Sequence, residues 1–481
     1  MSTQPRPVGP VLGSEMRASA RRGARSLSGG LMALVAGAAA VIVVLGFVLL
    51  DYQFDQDAHR LVKILAGMAA GLFVVLQPYL GLWLLPVAVP FLDWLPELPL
   101  PGINTLNGLL LSVFGLWLIS RILARETIGK PTSLGMPIGI LILGTVLSWV
   151  RGAAIPAGRT YDTLANAIWV FRGAIVFAPY FITLLMLRGR KDRKWLAAAV
   201  VIGLVGESAC TMFFGHWMKT RAMGSMAQPN VLGAFLVIST VFTAAVMLGQ
   251  SKFWPRVPLF IAVMAGAYAT ILTISRGAMI GLSLGFLYVA VRSSKLVTVL
   301  GLAVLLTSPL WAPDTVKERV MATNQEVEDT DETQLEGSAQ ARIDTWTTSI
   351  EIAKKHLIDG VGFGAIGYIL RDTGMNLGLT HTKDSTHNTY LRVLAEMGII
   401  GLALFLYLIW RCWRLSLAGV RAARTRFDRQ LGIGLGGATI AMMVNCWFGD
   451  RFFEFDIMCA YWMVCALVND VVNRQHEEVA A

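Results

Sequence analysis

From Leu31 to Leu50, and again from Val231 to Gly249, the chain carries no charged side chain. Other stretches of about 17–22 residues are nearly as clean, roughly the length an α-helix needs to cross a hydrocarbon core. In lipid every backbone N–H and C=O must find its partner within the protein, so only helices and closed barrels can span. These runs are continuously apolar and lack the alternation of barrel strands, so helices are expected. The composition agrees: of 481 residues 55% are apolar and only 15% charged, with a mean hydropathy of +0.60. A soluble domain of this size carries more charge on its surface.

Fourteen spans are expected, at 31–50, 61–76, 78–92, 107–124, 134–150, 166–187, 195–214, 230–249, 257–274, 277–291, 295–311, 388–410, 431–449 and 453–470. The second and third flank Gln77-Pro78 and read as a helical hairpin. Alternation from a cytoplasmic N-terminus leaves Arg121–Lys130, Arg188–Lys194, Lys252–Arg256, Arg292–Lys295 and Arg411–Arg429 inside, and each is rich in Lys and Arg. Asp51–Arg60 and Phe91–Leu106 fall outside and are acidic or nearly uncharged. This is the positive-inside pattern of a bacterial membrane protein, and it accounts for the net charge of +10 without nucleic acid. Residues 1–30, rich in Arg, Pro, Gly and Ser, read as a disordered cytoplasmic segment held inside by Arg17, Arg21, Arg22 and Arg25. The full length of the following run favours a retained helix over a cleaved signal peptide. The expected divisions are thus 1–30, membrane helices over 31–311, an outer loop domain over 312–386, membrane helices over 387–470 and a cytoplasmic tail over 471–481.

The outer loop is the one long hydrophilic segment. Its first part, Val316–Gln340, is acidic and reads as flexible. An amphipathic helix follows, with Ile343, Trp346, Ile350 and Leu357 on one face, lying on the bundle or at the membrane interface. The glycines of Asp359-Gly-Val-Gly-Phe-Gly-Ala-Ile-Gly-Tyr368 have no preceding strand and no following Lys-Ser/Thr, so a nucleotide cradle is rejected in favour of a turn that lets backbones pack closely. None of the five cysteines lies in this loop, and no CxxC or Cys/His spacing suggests a metal.

Ionisable side chains inside spans are costly and are therefore candidates for function. Arg172, Glu207, Arg276 and Glu396 all fall in the outer halves of their helices, and Asp450, Arg451, Glu454 and Asp456 bracket the last outer turn. Their shared depth points to a site at the outer leaflet. Paired charges that fix helix packing are the plainer reading of any one of them.

The sharpest local pattern is Asp384-Ser-Thr-His-Asn-Thr-Tyr-Leu-Arg-Val-Leu-Ala-Glu-Met-Gly-Ile-Ile-Gly401, where the loop enters a helix. It resembles the C-terminal signature of the O-antigen ligase and polymerase superfamily. Ile274-Ser-Arg-Gly-Ala278 looks like that family's Ser-Arg motif, and Gln228-Pro-Asn230 like its Pro-Asn motif. Arg342…Trp346 followed by Asp359-Gly-Val-Gly362 is similar to its loop segment. The four occur in order over residues 220–450; residues 1–200 match in hydropathy alone.

The resemblance implies an all-α membrane bundle of about 12–14 helices, similar to the GT-C type of glycosyltransferase, with one large periplasmic loop. It implies a metal-independent transferase of the bacterial inner membrane, with no cofactor. The donor would be a glycan on undecaprenyl pyrophosphate, and the acceptor a sugar hydroxyl of lipid A–core or of a growing polysaccharide. His387 matches the family's catalytic histidine, and histidine is the side chain best suited to take a proton from a hydroxyl near neutral pH. A loop histidine bonded to backbone beside an Asn388 cap is the plainer alternative. Arg276 and Arg342 match the family's two arginines, whose planar forks suit a pyrophosphate. Arg172 joins them from depth alone, and an ion pair with Glu207 or Glu396 is an equal reading. Ligase-type transfer is preferred over a repeat-unit polymerase or a protein O-glycosyltransferase. A lipid-linked glycan transporter would show internal repeats and charges at the midplane, which this sequence lacks.

Overall fold

The computed structural model describes residues 78–94, 105–125, 129–155, 161–218, 221–226, 228–311, 324–327, 330–335, 337–379 and 385–480. All lie within one compact unit, Val74–Ala481. The expected disordered segment 1–30 and the spans at 31–50 and 61–76 fall outside the described residues.

Helices form where the apolar runs place them. In chain order they are α1 Pro78–Ala88, α2 Thr105–Leu123, α3 Gly135–Ala154, α4 Thr163–Ile175, α5 Ala178–Met186, α6 Arg190–Ala209, α7 Pro229–Gly249, α8 Arg256–Leu272, α9 Arg276–Ser293 and α10 Lys295–Trp311. After the loop come α11 Gly337–Lys355, α12 Ile366–Asn376, α13 Thr389–Ala422, α14 Arg426–Trp447 and α15 Phe455–Ala480. Among the described residues, six helical segments are long and apolar enough to cross a membrane: Gly135–Ala154, Thr163–Met186, Arg190–Phe214, Pro229–Gly249, Thr389–Ala422 and Phe455–Gln475. Tyr79–Trp94, Asn107–Leu123 and Arg256–Leu272 are shorter apolar helices. The protein is an all-α, polytopic membrane protein.

The apolar windows of α7 and α15 are 89% and 94% buried, against 33% for α3, so α7 and α15 run through the middle and α3 lies at the rim. Small residues bring the central helices close. A side chain at Gly285 would meet Val241 and the Gly437 carbonyl, and one at Gly437 would meet Val241 and Val289, the contact expected where helices associate without help from water. The rim helices point Ile119, Leu143, Leu147, Met264 and Leu300 outward. Such a surface suits lipid and would aggregate in water.

The loop segment adds two details to the expectation. Part of the stretch read as flexible forms an antiparallel hairpin, β3 Asn324–Val327 with β4 Thr330–Leu335. Helix α11 forms as expected, but its apolar stripe is not the face it packs. Ile343, Ile350 and Leu357 are exposed, while Ala341, Thr345, Thr348, Ser349 and Ile352 are buried. Small side chains let α11 approach its neighbours closely, and the hydroxyls of Thr345, Thr348 and Ser349 bond back to carbonyls one turn earlier.

The glycine run does pack backbone against backbone. Helix α13 is broken at Gly398, whose φ of 67° is left-handed. The Ile399 N–H, which would donate to Ala395 in an unbroken helix, donates instead to the Leu357 carbonyl at 2.7 Å. The freed carbonyls of Ala395 and Glu396 accept from Val361 N–H at 2.9 Å and Gly362 N–H at 3.0 Å. The Ser148 hydroxyl adds a bond to the Glu396 carbonyl at 2.7 Å. The loop therefore lends backbone partners to a membrane helix that has opened, as non-helical backbone at such depth requires.

Candidate active site

His387 sits in the last turn of loop before α13, and the residues beside it are fixed by side-chain bonds. Asn388 caps the helix, its side-chain oxygen accepting from Tyr390 N–H at 3.0 Å and Leu391 N–H at 3.1 Å. Thr386 and Ser385 donate their hydroxyls to the two oxygens of Asp450, at 2.8 and 2.5 Å. The Ser385 hydroxyl in turn accepts from His387 N–H at 3.3 Å. Thr389 donates to the Gly449 carbonyl at 2.8 Å and accepts from Arg451 N–H at 3.1 Å. Segment 385–389 is thus stitched to the turn joining α14 and α15. Thr386 and Asn388 are buried, whereas His387 between them is only half-buried. Its φ of 48° is left-handed, a strained setting for a residue with a Cβ. Both neighbours are pinned by side-chain bonds, so the backbone of His387 is fixed from either side.

Arg276 opens α9 two residues after a second such strained residue, Ile274, with φ 49°. Arg221 braces this corner, donating to the Thr273 carbonyl at 2.9 Å and to Asn230 Oδ1 at 2.7 Å. The Pro-Asn and Ser-Arg motifs are thereby joined through Arg221. At Gly277 a Cβ would fall 2.7 Å from the Phe448 ring, so the first turn of α9 presses on the same α14–α15 turn that holds the His387 segment.

Arg342 lies one helical turn before Trp346 on α11, on the same side of that helix. The Trp346 indole donates to the Thr386 carbonyl at 3.1 Å and meets Trp447 edge-on at 6.4 Å. Three segments remote in sequence, bearing Arg276, Arg342 and His387, therefore converge on residues 447–451.

Arg172 stands further out. It is exposed on α4, its guanidinium 5.4 Å from the Trp169 ring. The adjoining Gly173 faces Phe363 and Phe453, the latter in the α14–α15 turn. The expected ion pairs are formed by others. Glu396 pairs with Arg392 at 3.3 Å. Glu207 is buried and accepts from Ser225 N–H at 3.1 Å and from the Ser225 hydroxyl, while that hydroxyl also contacts the Pro90 carbonyl. Glu207 therefore anchors the β1–β2 hairpin, His216–Met218 with Arg221–Gly224, to the segment after α1.

Asp450 is the member whose role sequence reasoning did not find. Depth alone marks Asp450 in the sequence, and Ser385 and Thr386, immediately before the histidine, are hydroxyls that need an acceptor. The bond partner lies more than sixty residues away, and no local pattern connects them. Among the described residues, no group of three or more His, Cys, Asp or Glu side chains is placed to hold a metal ion.

A half-buried histidine thus lies where segments carrying two arginines meet one turn of a membrane bundle. Residues 259–406 match the family model described as O-antigen ligase, a span that includes Arg276, Arg342 and His387. The match supports membership of the chain in the O-antigen ligase superfamily. Among curated proteins, none matches the chain.

Proposed function

We propose that the protein transfers a glycan from undecaprenyl pyrophosphate to a hydroxyl of lipid A–core, at the periplasmic face of the bacterial inner membrane. The observation that carries this reading is the convergence of the Arg276, Arg342 and His387 segments on the 447–451 turn. In this reading His387 takes the proton of the acceptor hydroxyl as its oxygen attacks the anomeric carbon. The bond from that carbon to the pyrophosphate oxygen breaks, and the electron pair leaves with the pyrophosphate. Arg276 and Arg342 neutralise the charge that develops there, and an arginine fork does this bidentately. Arg172 is assigned a third, outer contact with the same phosphates. The imidazolium then returns its proton to solvent.

The test is transfer by purified protein in lipid nanodiscs supplied with lipid-linked donor and lipid A–core. Glycan on lipid A–core is expected, whereas lengthened lipid-linked chains would make the protein a polymerase. His387→Ala should bind donor normally yet transfer about 10²–10⁴-fold more slowly. Arg276→Ala and Arg342→Ala should weaken donor binding, with Lys restoring only part of it. Undiminished transfer by His387→Ala would remove the histidine from the reaction.

A further inference from the structure

We propose that Trp169, set between Arg172 and Arg392, is a shelf for the sugar ring nearest the pyrophosphate of a lipid-linked glycan. The inference rests on the transfer reading above and adds a residue and a ligand face to it. Trp169 is 44% exposed and lies one turn before the exposed Arg172 on α4. Its ring is flanked by two guanidinium groups, Arg172 at 5.4 Å and Arg392 at 5.9 Å from the centroid. An exposed tryptophan near a membrane is often a lipid anchor, but a guanidinium is costly in hydrocarbon and here two adjoin the ring. The ring therefore borders two cations, one of them exposed.

Arg392 links the ring to the candidate site. Arg392 is 13% exposed, paired with Glu396, and lies over Phe363 at 5.6 Å and Phe453 at 5.8 Å. Phe453 follows Asp450 by three residues in the turn that holds the His387 segment. Arg392 is also one helical turn beyond Asn388 on α13. Its charge is met by Glu396, whereas Arg172 is exposed and its ring contact leaves its N–H groups facing solvent. An aromatic face with an adjoining cation matches a sugar ring joined to a phosphate: the apolar C–H face lies on the indole while the anionic oxygens meet the guanidinium. A free phosphate would need the cation alone, and a lipid tail would need neither arginine.

The distinguishing experiment compares two ligands on the intact protein in nanodiscs, a polyprenyl pyrophosphate bearing its glycan and the same lipid pyrophosphate without sugar. Trp169→Ala should weaken the glycan-bearing lipid about tenfold, equivalent to about 1.4 kcal/mol. It should leave the sugar-free lipid bound as in the parent. Trp169→Phe should recover part of the loss, because a smaller aromatic face remains. Arg172→Gln should weaken both ligands, since each carries the phosphates. Equal effects of Trp169→Ala on both ligands, or a lowered yield of inserted protein with unchanged binding, would overturn the shelf and make Trp169 a lipid anchor. Absence of any transfer by the parent would instead count against the transfer reading, and the binding comparison would still decide the shelf.

Discussion

Asp450 spends both carboxylate oxygens on Ser385 and Thr386, and so determines where the backbone of His387 lies. A left-handed non-glycine residue persists only when its surroundings over-determine it, and these two bonds with the Asn388 cap do so. Asp450→Ala should therefore leave insertion intact but let the imidazole drift, and a misplacement near 1 Å costs about 10²-fold in rate. Turnover of a saturating donor should fall with little change in donor affinity, and Asp450→Asn should recover part of it by still accepting one hydroxyl. Unchanged turnover in Asp450→Ala would separate the turn from the chemistry. Short motifs single out the histidine and two arginines in the sequence, and depth singles out Asp450. The partners of Asp450 are not legible there, since a hydrogen bond between distant segments leaves no periodic trace.

Spanning helices are legible in the apolar runs because lipid selects directly on composition over about 20 residues. The break in α13 is invisible by that route: the apolar pattern runs straight through Gly398, and its compensating partners lie upstream at 357–362. The face by which α11 packs is hidden for a related reason, since threonine, serine and alanine can pack more closely than the isoleucine stripe, which stays exposed. At Gly398 a Cβ would stand 2.2 Å from the Ile358 carbonyl, so Gly398→Ala should destabilise the protein by about 1–3 kcal/mol from backbone strain alone. A lowered Tm in detergent would show it. The same loop is clamped from α3 by Arg151, which donates to Asp359 at 2.7 Å and reaches His356 Nδ1 at 3.2 Å. The hydrogen bond from Arg151 holds the Asp359 carboxyl below its usual range, and partial burial together with Arg151 lowers His356. A depressed carboxylate stabilises above its unfolded pKa and loses that effect as pH falls through its folded value. A depressed histidine adds a penalty once pH drops through its unfolded value of about 6.5. Both effects loosen the clamp in acid. Hydrogen exchange at Val361 and Gly362 should accelerate on acidification beyond the intrinsic rate, and Arg151→Gln should reduce that dependence to the part that burial of His356 supplies.

The two ends of the bundle are built differently. Away from His387, Arg193 is buried and binds Asp470 at 2.6 Å and Asp428 at 3.2 Å, while Arg474 reaches Asp470 at 3.1 Å. Asp428 and Asp450 lie at opposite ends of α14, a separation of roughly 30 Å at about 1.5 Å per residue. Removing one partner of a buried pair typically costs about 3–5 kcal/mol. Asp470→Ala should therefore lower Tm sharply while the surviving folded protein binds donor as the parent does. A selective loss of donor affinity would instead couple the two ends. The opened helix α13 has a different consequence, for anyone exchanging parts between relatives. The extramembrane segment looks like a cassette bounded by residues 312 and 386, but its amides at 361 and 362 complete a helix that begins only after that boundary. A graft cut at 386 pairs one ancestor's loop with another's exposed carbonyls, so the smallest transplantable piece runs past Ile399 and carries the histidine with it.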